Sequence, residues 1–319
     1  MSIKTNRRLG LGIISLLILF AALSTTTRRG HAGDREKLTA EEVLARHLKS
    51  IGTPEDIAAM KTRVVAGTSV FNLRSPGSGQ NTGLSILFSE ANKSVIAMSF
   101  PNATDYPAEK FGYDGDKLVI SYLRPGARST LGDFIFQRAG IYKDGLFGGT
   151  LSTAWALLNL DQSKVKLEYG GIKKVDGREA HVLRYIPKKG SDLKISLFFD
   201  AETFQHVRTE YRQLVSAQMG ASAPSMGTKP TLGTGGGAAS TGVDAPKDQQ
   251  RELHYDLDET FSDFKQEGKL TLPHTYKIKL KLEKRQGPTY LADWEMVFTK
   301  FSFNQPLEAG WFDVNAVAN

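Results

Sequence analysis

The chain of 319 residues contains no cysteine, so disulfide staples, thiol chemistry and a lipid-modified cysteine are all excluded and the core alone must hold the fold. Its six histidines, His31, His47, His181, His206, His254 and His274, include no pair at a metalloprotease or other metal-ligand spacing. Four of them, His181, His206, His254 and His274, fall on or at the start of separate predicted strands, and sequence leaves their convergence open. There is no Gly-x-Ser-x-Gly elbow. The glycine-rich run Gly233-Thr234-Gly235-Gly236-Gly237 lacks the Lys-Ser/Thr of a phosphate loop, and Asp114-Gly115-Asp116 is too short for a calcium loop. With these constellations missing, the expectation is a protein without catalysis, cofactor or metal. A hydrolase assembled from distant His and Asp residues is the weakest alternative.

Long apolar runs are scarce too. The one that stands out, Leu9 to Leu23, follows Lys4, Arg7 and Arg8 and leads into the small and polar stretch Ser24 to Thr27, which is the anatomy of a secretory signal. It is shorter than the roughly 20 residues a spanning helix needs, so cleavage is expected over anchoring. Cuts after Ser24 and after Ala32 both satisfy the small-x-small preference, and the sequence does not choose between them. The general secretory route is the default, with twin-arginine export the weaker reading of Arg7-Arg8. The formal charge of +7 shrinks to +2 once residues 1–32, with five basic and no acidic side chains, are removed. No basic and aromatic cluster supports binding to nucleic acid.

What the chain does have is strand grammar. After one helix opened by the capping box Thr39/Glu42, with the stripe Val43, Leu44, Leu48 and Ile51, and a short turn of helix from Thr53-Pro54, the texture changes at Thr62. Runs rich in Val, Ile, Thr, Phe and Tyr alternate with Gly, Asn, Asp and Pro. The spacing predicts strands over 63–73, 83–89, 94–100, 109–113, 117–123, 165–169, 172–175, 178–186, 193–200, 206–215, 251–258, 275–282 and 294–303. Asp114-Gly115 and Asp176-Gly177 are predicted hairpin turns, and helices are predicted around Leu131–Arg138 and Leu151–Leu158. Residues 216–248, mostly Ala, Ser, Gly, Thr and Pro, are expected to be a disordered insertion within one domain spanning 33–319, with a true domain boundary as the second choice.

The alternation of Leu193, Ile195, Leu197 and Phe199 with polar neighbours, and of Tyr276, Ile278, Leu280 and Leu282 with lysines, gives each strand one buried and one wet face. The fold class expected is mainly β: a curved antiparallel half-barrel sheet with helices covering the concave face. A dry cavity between sheet and helices would take an acyl chain. The candidate lining is Ile86, Phe88, Met98, Phe100, Leu197, Phe199, Tyr211, Ile278, Leu280 and Phe298, with Ile195 left unassigned. For most of these side chains, ordinary core packing is the competing explanation.

Several segments carry a likeness to a known family. The capped helix Leu38 to Gly52, the run Val175-Asp176-Gly177-Arg178-Glu179-Ala180-His181-Val182-Leu183, the turn Phe199-Asp200-Ala201-Glu202-Thr203-Phe204, Leu272-Pro273-His274, and the ending from Phe298 to Trp311-Phe312-Asp313-Val314 together resemble the periplasmic lipoprotein-sorting (LolA/LolB-like) superfamily. The resemblance implies a half-open barrel whose helices plug the concave side, without catalytic residues, in a family that carries lipoprotein acyl chains or senses the state of the cell envelope. The expectation is a periplasmic carrier or chaperone for a lipid or lipoprotein acyl chain, with an inner- or outer-membrane protein as a further partner. A protein-binding regulatory module on the same fold is the alternative.

Overall fold

Thr39 opens the first helix, α1 (Ala40–Ile51), through a reciprocal cap: the Glu42 amide donates to the Thr39 hydroxyl at 3.2 Å and the Thr39 amide donates to the Glu42 carboxylate at 2.7 Å. The computed structural model describes residues 38–160, 165–187, 191–215, 253–284 and 287–315. The signal segment and the 216–248 insertion read from the sequence lie outside these residues. Thr53 caps the short α2 (Pro54–Ala59) by accepting from the Asp56 amide at 3.1 Å, with Pro54 at the position where a missing N–H costs nothing.

Twelve strands follow: β1 (Thr62–Ser75), β2 (Gly79–Glu90), β3 (Lys93–Ser99), β4 (Ala108–Tyr113), β5 (Leu118–Ile120), β6 (Lys166–Val175), β7 (Arg178–Ile186), β8 (Lys194–Asp200), β9 (His206–Val215), β10 (Leu253–Glu267), β11 (Leu270–Lys284) and β12 (Tyr290–Phe303). They form one sheet in the order β5-β4-β3-β2-β1-β12-β11-β10-β9-β8-β7-β6. Strands pair antiparallel with their sequence neighbours from β1 to β5 and from β6 to β12, β12 pairs with β1 in the middle of the sheet, and β5 and β6 form its two outer edges. Strands β9, ending at Val215, and β10, starting at Leu253, pair directly. Register breaks at Ala66/Gly67 and Leu73/Ser75 in β1 and between Tyr169 and Ile172 in β6 add twist, and the sheet curls into an open half-barrel without closing.

The concave face is covered by α1, by α3 (Thr130–Gln137) and α4 (Gly140–Lys143), and by 3-10 turns at Gly149–Leu151 and Ala156–Asn159. Leu131, Phe134, Ile135, Leu146, Phe147, Leu151 and Trp155 from this layer pack with the inward strand residues in one continuous core. Two smaller clusters lie on the convex face. One of them is covered by the chain's own end, where Leu307, Phe312 and Val314 pack on Phe88, Val95 and Val119. Among the described residues, no helix is long and apolar enough to cross a membrane.

Local chemistry explains where the structure departs from the strand and helix pattern expected from sequence. Asp176 and Gly177 both take positive φ (48° and 85°), the signature of a two-residue hairpin, as anticipated. Asp114-Gly115, by contrast, belongs to a four-residue link in which the Asp114 carboxylate accepts from the amides of Asp116 (2.9 Å) and Lys117 (2.7 Å). The two strands expected over 165–175 are one, bent where Gly171 takes φ 82°. The helix expected over 151–158 is instead the pair of 3-10 turns, because the extended backbone at Ser152 (ψ 145°) breaks any helix there. Strands β10 and β11 run to a hairpin at Gly268-Lys269, well past the expected end at Asp258 and before the expected start at Thr275.

Candidate ligand-binding site at the mouth of the half-barrel

Of the ten candidate lining residues, eight share the concave core: Met98, Phe100, Leu197, Phe199, Tyr211, Ile278, Leu280 and Phe298. Every one of them is 0–1% exposed, so they fill the space they surround. Ile86 and Phe88 lie on the opposite, convex face, because β2 turns its odd-numbered residues Leu87 and Ser89 toward the helical layer. Ile86 is 37% exposed and Phe88 packs against Phe312 at a ring distance of 5.4 Å.

Open space lies instead at one end of the half-barrel. A pocket of about 1240 Å³ is framed by the C-terminal half of α1, by α2, by the β2–β3 turn at Glu90 and Ala91, by Thr153 and Leu158 of the helical layer and by the β10–β11 hairpin. Its apolar wall comes from Ala45, Leu48, Ile51, Ile57, Ala58, Met60 and Leu158. The volume exceeds the roughly 300–1,000 Å³ of most small-molecule sites. The sequence pattern named the helix stripe but not this pocket, since it depends on how a hairpin some 200 residues away meets the end of α1. That meeting is close: a Cβ on Gly52 would lie 2.8 Å from Leu270 Cδ2 and 3.2 Å from the Lys269 carbonyl, so a side chain there would push on the hairpin. Lys269 then reaches Asp56 at 3.1 Å. The Thr53 hydroxyl, first, and Lys269, second, hold the Asp56 carboxyl below its usual range. Lys49 and Lys61 also line the pocket and make no ion pair among the described residues, so the rim carries free positive charge beside an apolar wall.

The layer behind the pocket is fastened to the sheet by buried polar groups. The Thr153 amide donates to Ser89 Oγ at 2.8 Å, and the Thr153 hydroxyl donates to the Ala91 carbonyl at 3.2 Å. The Arg63 guanidinium, only 3% exposed, donates to the Thr150 carbonyl. Burial pulls it down to about 10, which leaves it charged at neutral pH. Glu259 accepts from the Gly148 amide (2.8 Å) and from the hydroxyls of Tyr211 (2.6 Å) and Tyr276 (2.5 Å), so one carboxylate ties three strands to the helical layer. Full burial pushes Glu259 up to about 7 despite these donors. Glu109, also fully buried and bonded by the Tyr106 hydroxyl, is likewise pushed up to about 7.

The histidines on separate strands do not converge. His254 is exposed, His181 stacks on Phe204, and His274 donates Nδ1–H to the Phe298 carbonyl at 3.1 Å. The histidines that do meet are His47 of α1 and His206 of β9, at a ring distance of 6.2 Å. Trp155 donates to His47 Nε2 at 3.1 Å, so the proton sits on Nδ1 and goes to the Phe204 carbonyl at 3.0 Å. That neutral tautomer agrees with burial pulling His47 down to about 4. Together with Ser50 Oγ, which bonds the same carbonyl at 3.2 Å, it docks α1 on the β8–β9 turn. Among the described residues, no group of three or more His, Asp or Glu side chains is placed to hold a metal ion.

The frame and the pocket define an open antiparallel half-barrel with a helical layer and an apolar, positively rimmed mouth. No family model matches the chain. No curated protein matches it either. Among solved structures it is similar to a DUF1329 family protein from Desulfovibrio piger (13% identity, 87% of this chain and 98% of that one, TM-score 0.42). It is also similar to a putative outer membrane lipoprotein-sorting protein domain from Vibrio parahaemolyticus (15%, 86% and 98%, 0.41) and to a LolA superfamily protein from Nitrosomonas europaea (11%, 88% and 100%, 0.42). At such identities and scores, the function of this chain has to be read from its own residues.

Proposed function

We propose that the protein is a non-catalytic carrier, exported to the periplasm with its signal cleaved, that holds the acyl chain of a lipid or lipoprotein in the mouth pocket between α1, α2 and the β10–β11 hairpin. The observation that carries this reading is the open pocket of about 1240 Å³ whose lining includes Leu48, Ile51, Ile57, Met60 and Leu158. Burying one methylene of a ligand there is worth about 0.8 kcal/mol, so a long alkyl chain supplies ample driving force. Lys49 and Lys61 suit a negatively charged head at the rim. The site differs from the cavity expected under the sheet, whose lining is packed shut.

The test is to express the full precursor in a bacterial host, purify the protein from the periplasm, and combine native mass spectrometry with organic extraction. One extra lipid mass per chain, or uptake of one added fatty acid, is the expected result. A clean protein mass that stays unchanged after fatty acid and lipopeptide are added would remove the proposal.

A further inference from the structure

The convex face near β1–β4 is only half covered, and its bare half has a definite chemistry. After β12 the chain crosses the outside of the sheet: Asn304 N donates to the Thr62 carbonyl at 3.0 Å, and by Phe312 and Val314 the chain lies over Gly112 of β4. A Cβ on Gly112 would come within 2.3 Å of the Phe312 carbonyl and 2.8 Å of Val314 Cγ1, so the missing side chain seats this strap. The strap covers one lateral row of cross-strand partners, Val64, Phe88, Val95 and Gly112. The next row, running across five strands, reads Lys300, Ala66, Ile86, Ala97, Lys110. The row beyond it holds Val297, Thr68 and Leu84.

Nothing in the chain covers these two rows among the described residues. Leu84 is 66% exposed, Ile86 37% and Val297 36%, and the small residues Ala66, Gly67 and Ala97 between them floor a groove of about 470 Å³. Exposed large apolar side chains grouped on one surface, next to one already used for packing, mark an interaction site. Lys110 and Lys300 stand at the two ends of the row and make no ion pair among the described residues. Four inter-strand steps of ~4.8 Å separate them, about 19 Å, which an extended segment of about six residues spans.

We propose that this groove docks an extended apolar segment of a partner protein, about six residues long and bracketed by acidic residues, lying beside the strap and crossing the strands as the strap does. Apolar side chains of the segment settle between Leu84 and Ile86, and its two carboxylates meet Lys110 and Lys300. The site is on the opposite face of the sheet from the mouth pocket, so it does not depend on the carrier reading.

The experiment uses the mature full chain with isotope-labelled methyl groups and two synthetic peptides that share a six-residue Val/Leu/Ala core, one bracketed by Asp pairs and one by Lys pairs. The Asp-bracketed peptide is expected to shift the methyl signals of Leu84, Ile86 and Val297 and leave those of Leu48 and Met60 in place. Its affinity is expected to fall at least fivefold in Lys110→Glu/Lys300→Glu, and the Lys-bracketed peptide is expected to bind that variant instead. Lys300 is exposed and Lys110 half-buried, both are expected to keep their strand pairing when substituted, and thermal unfolding of the variant checks this. Equal binding of both peptides to the native protein, or shifts confined to Leu48 and Met60, would overturn the proposal. So would concentration-dependent dimerisation abolished by Leu84→Ser/Ile86→Ser, which would assign the groove to a second copy of the chain.

Discussion

Beneath the helical layer and at the mouth, the same kinds of side chain are used to opposite ends. Under the layer, Phe100, Leu197, Phe199 and Phe298 share one core with Phe134, Phe147 and Trp155, and all seven are 0–3% exposed. At the mouth, Leu48, Ile57 and Met60 stay half-buried and line open space between α1, α2 and the β10–β11 hairpin. Packing to interior density is what stabilises a fold, and a binding site is where that packing is withheld. Apolar character alone does not separate the two.

The largest effect expected from this contrast is on stability. Phe199→Ala empties a filled site and is expected to cost about 3–5 kcal/mol, whereas Met60→Ala at the mouth is expected to cost under about 1 kcal/mol. Chemical denaturation of both variants checks the difference, and equal costs would mean that the mouth is core as well. For the same reason a charged residue at Met98 or Leu197, both fully buried, is expected to unfold the protein before it tells anything about uptake.

A smaller effect concerns the buried ionisable groups of the interior. Glu109 titrates near 7 in the folded protein against an ordinary 4.5, so its contribution to stability is whole below 4.5 and is lost as pH rises through 7. His47 titrates near 4 against 6.5, so its contribution is whole above 6.5 and is lost as pH falls toward 4. Glu109→Gln is therefore expected to stabilise the protein by about 1–3 kcal/mol at pH 8 and to change little at pH 4. Denaturation midpoints of the variant and the native chain at the two pH values test this, and an equal shift at both would refute the assignment. The Lys269–Asp56 pair of the mouth has a lysine side chain 74% exposed to solvent, so Lys269→Ala should leave the melting point nearly unchanged.

How legible all this is in the sequence differs between the two regions in the same way. Period-two alternation in 193–199 and 276–282 identified the inward faces, and Asp176-Gly177 identified a hairpin, because both depend on residues adjacent along the chain. Period two does not say which face is concave, and Ile86 and Phe88 fell on the convex side for that reason. The apolar run after Leu151 imitated a helix because its residues serve tertiary packing on the sheet, while Gly148 and Ser152 dictate the backbone. The second half of β10, with Ser262, Asp263, Lys265 and Gln266, gave little strand signal because it buries little. The mouth was the least legible part. It arises from contacts such as Gly52 with Leu270, Asp56 with Lys269 and Ser89 with Thr153, each between residues far apart in sequence.

The most direct test of an open mouth over a filled interior is the affinity of a labelled long-chain fatty acid for the native protein and for Ala45→Trp/Ala58→Trp. Both alanines are exposed and line the pocket, so the substitutions fill it without disturbing the core. One fatty acid per chain is expected for the native protein, with at least a tenfold loss of affinity in the double variant and a melting point changed by no more than a few degrees. Undiminished binding by the double variant would place the acyl chain elsewhere and contradict the account.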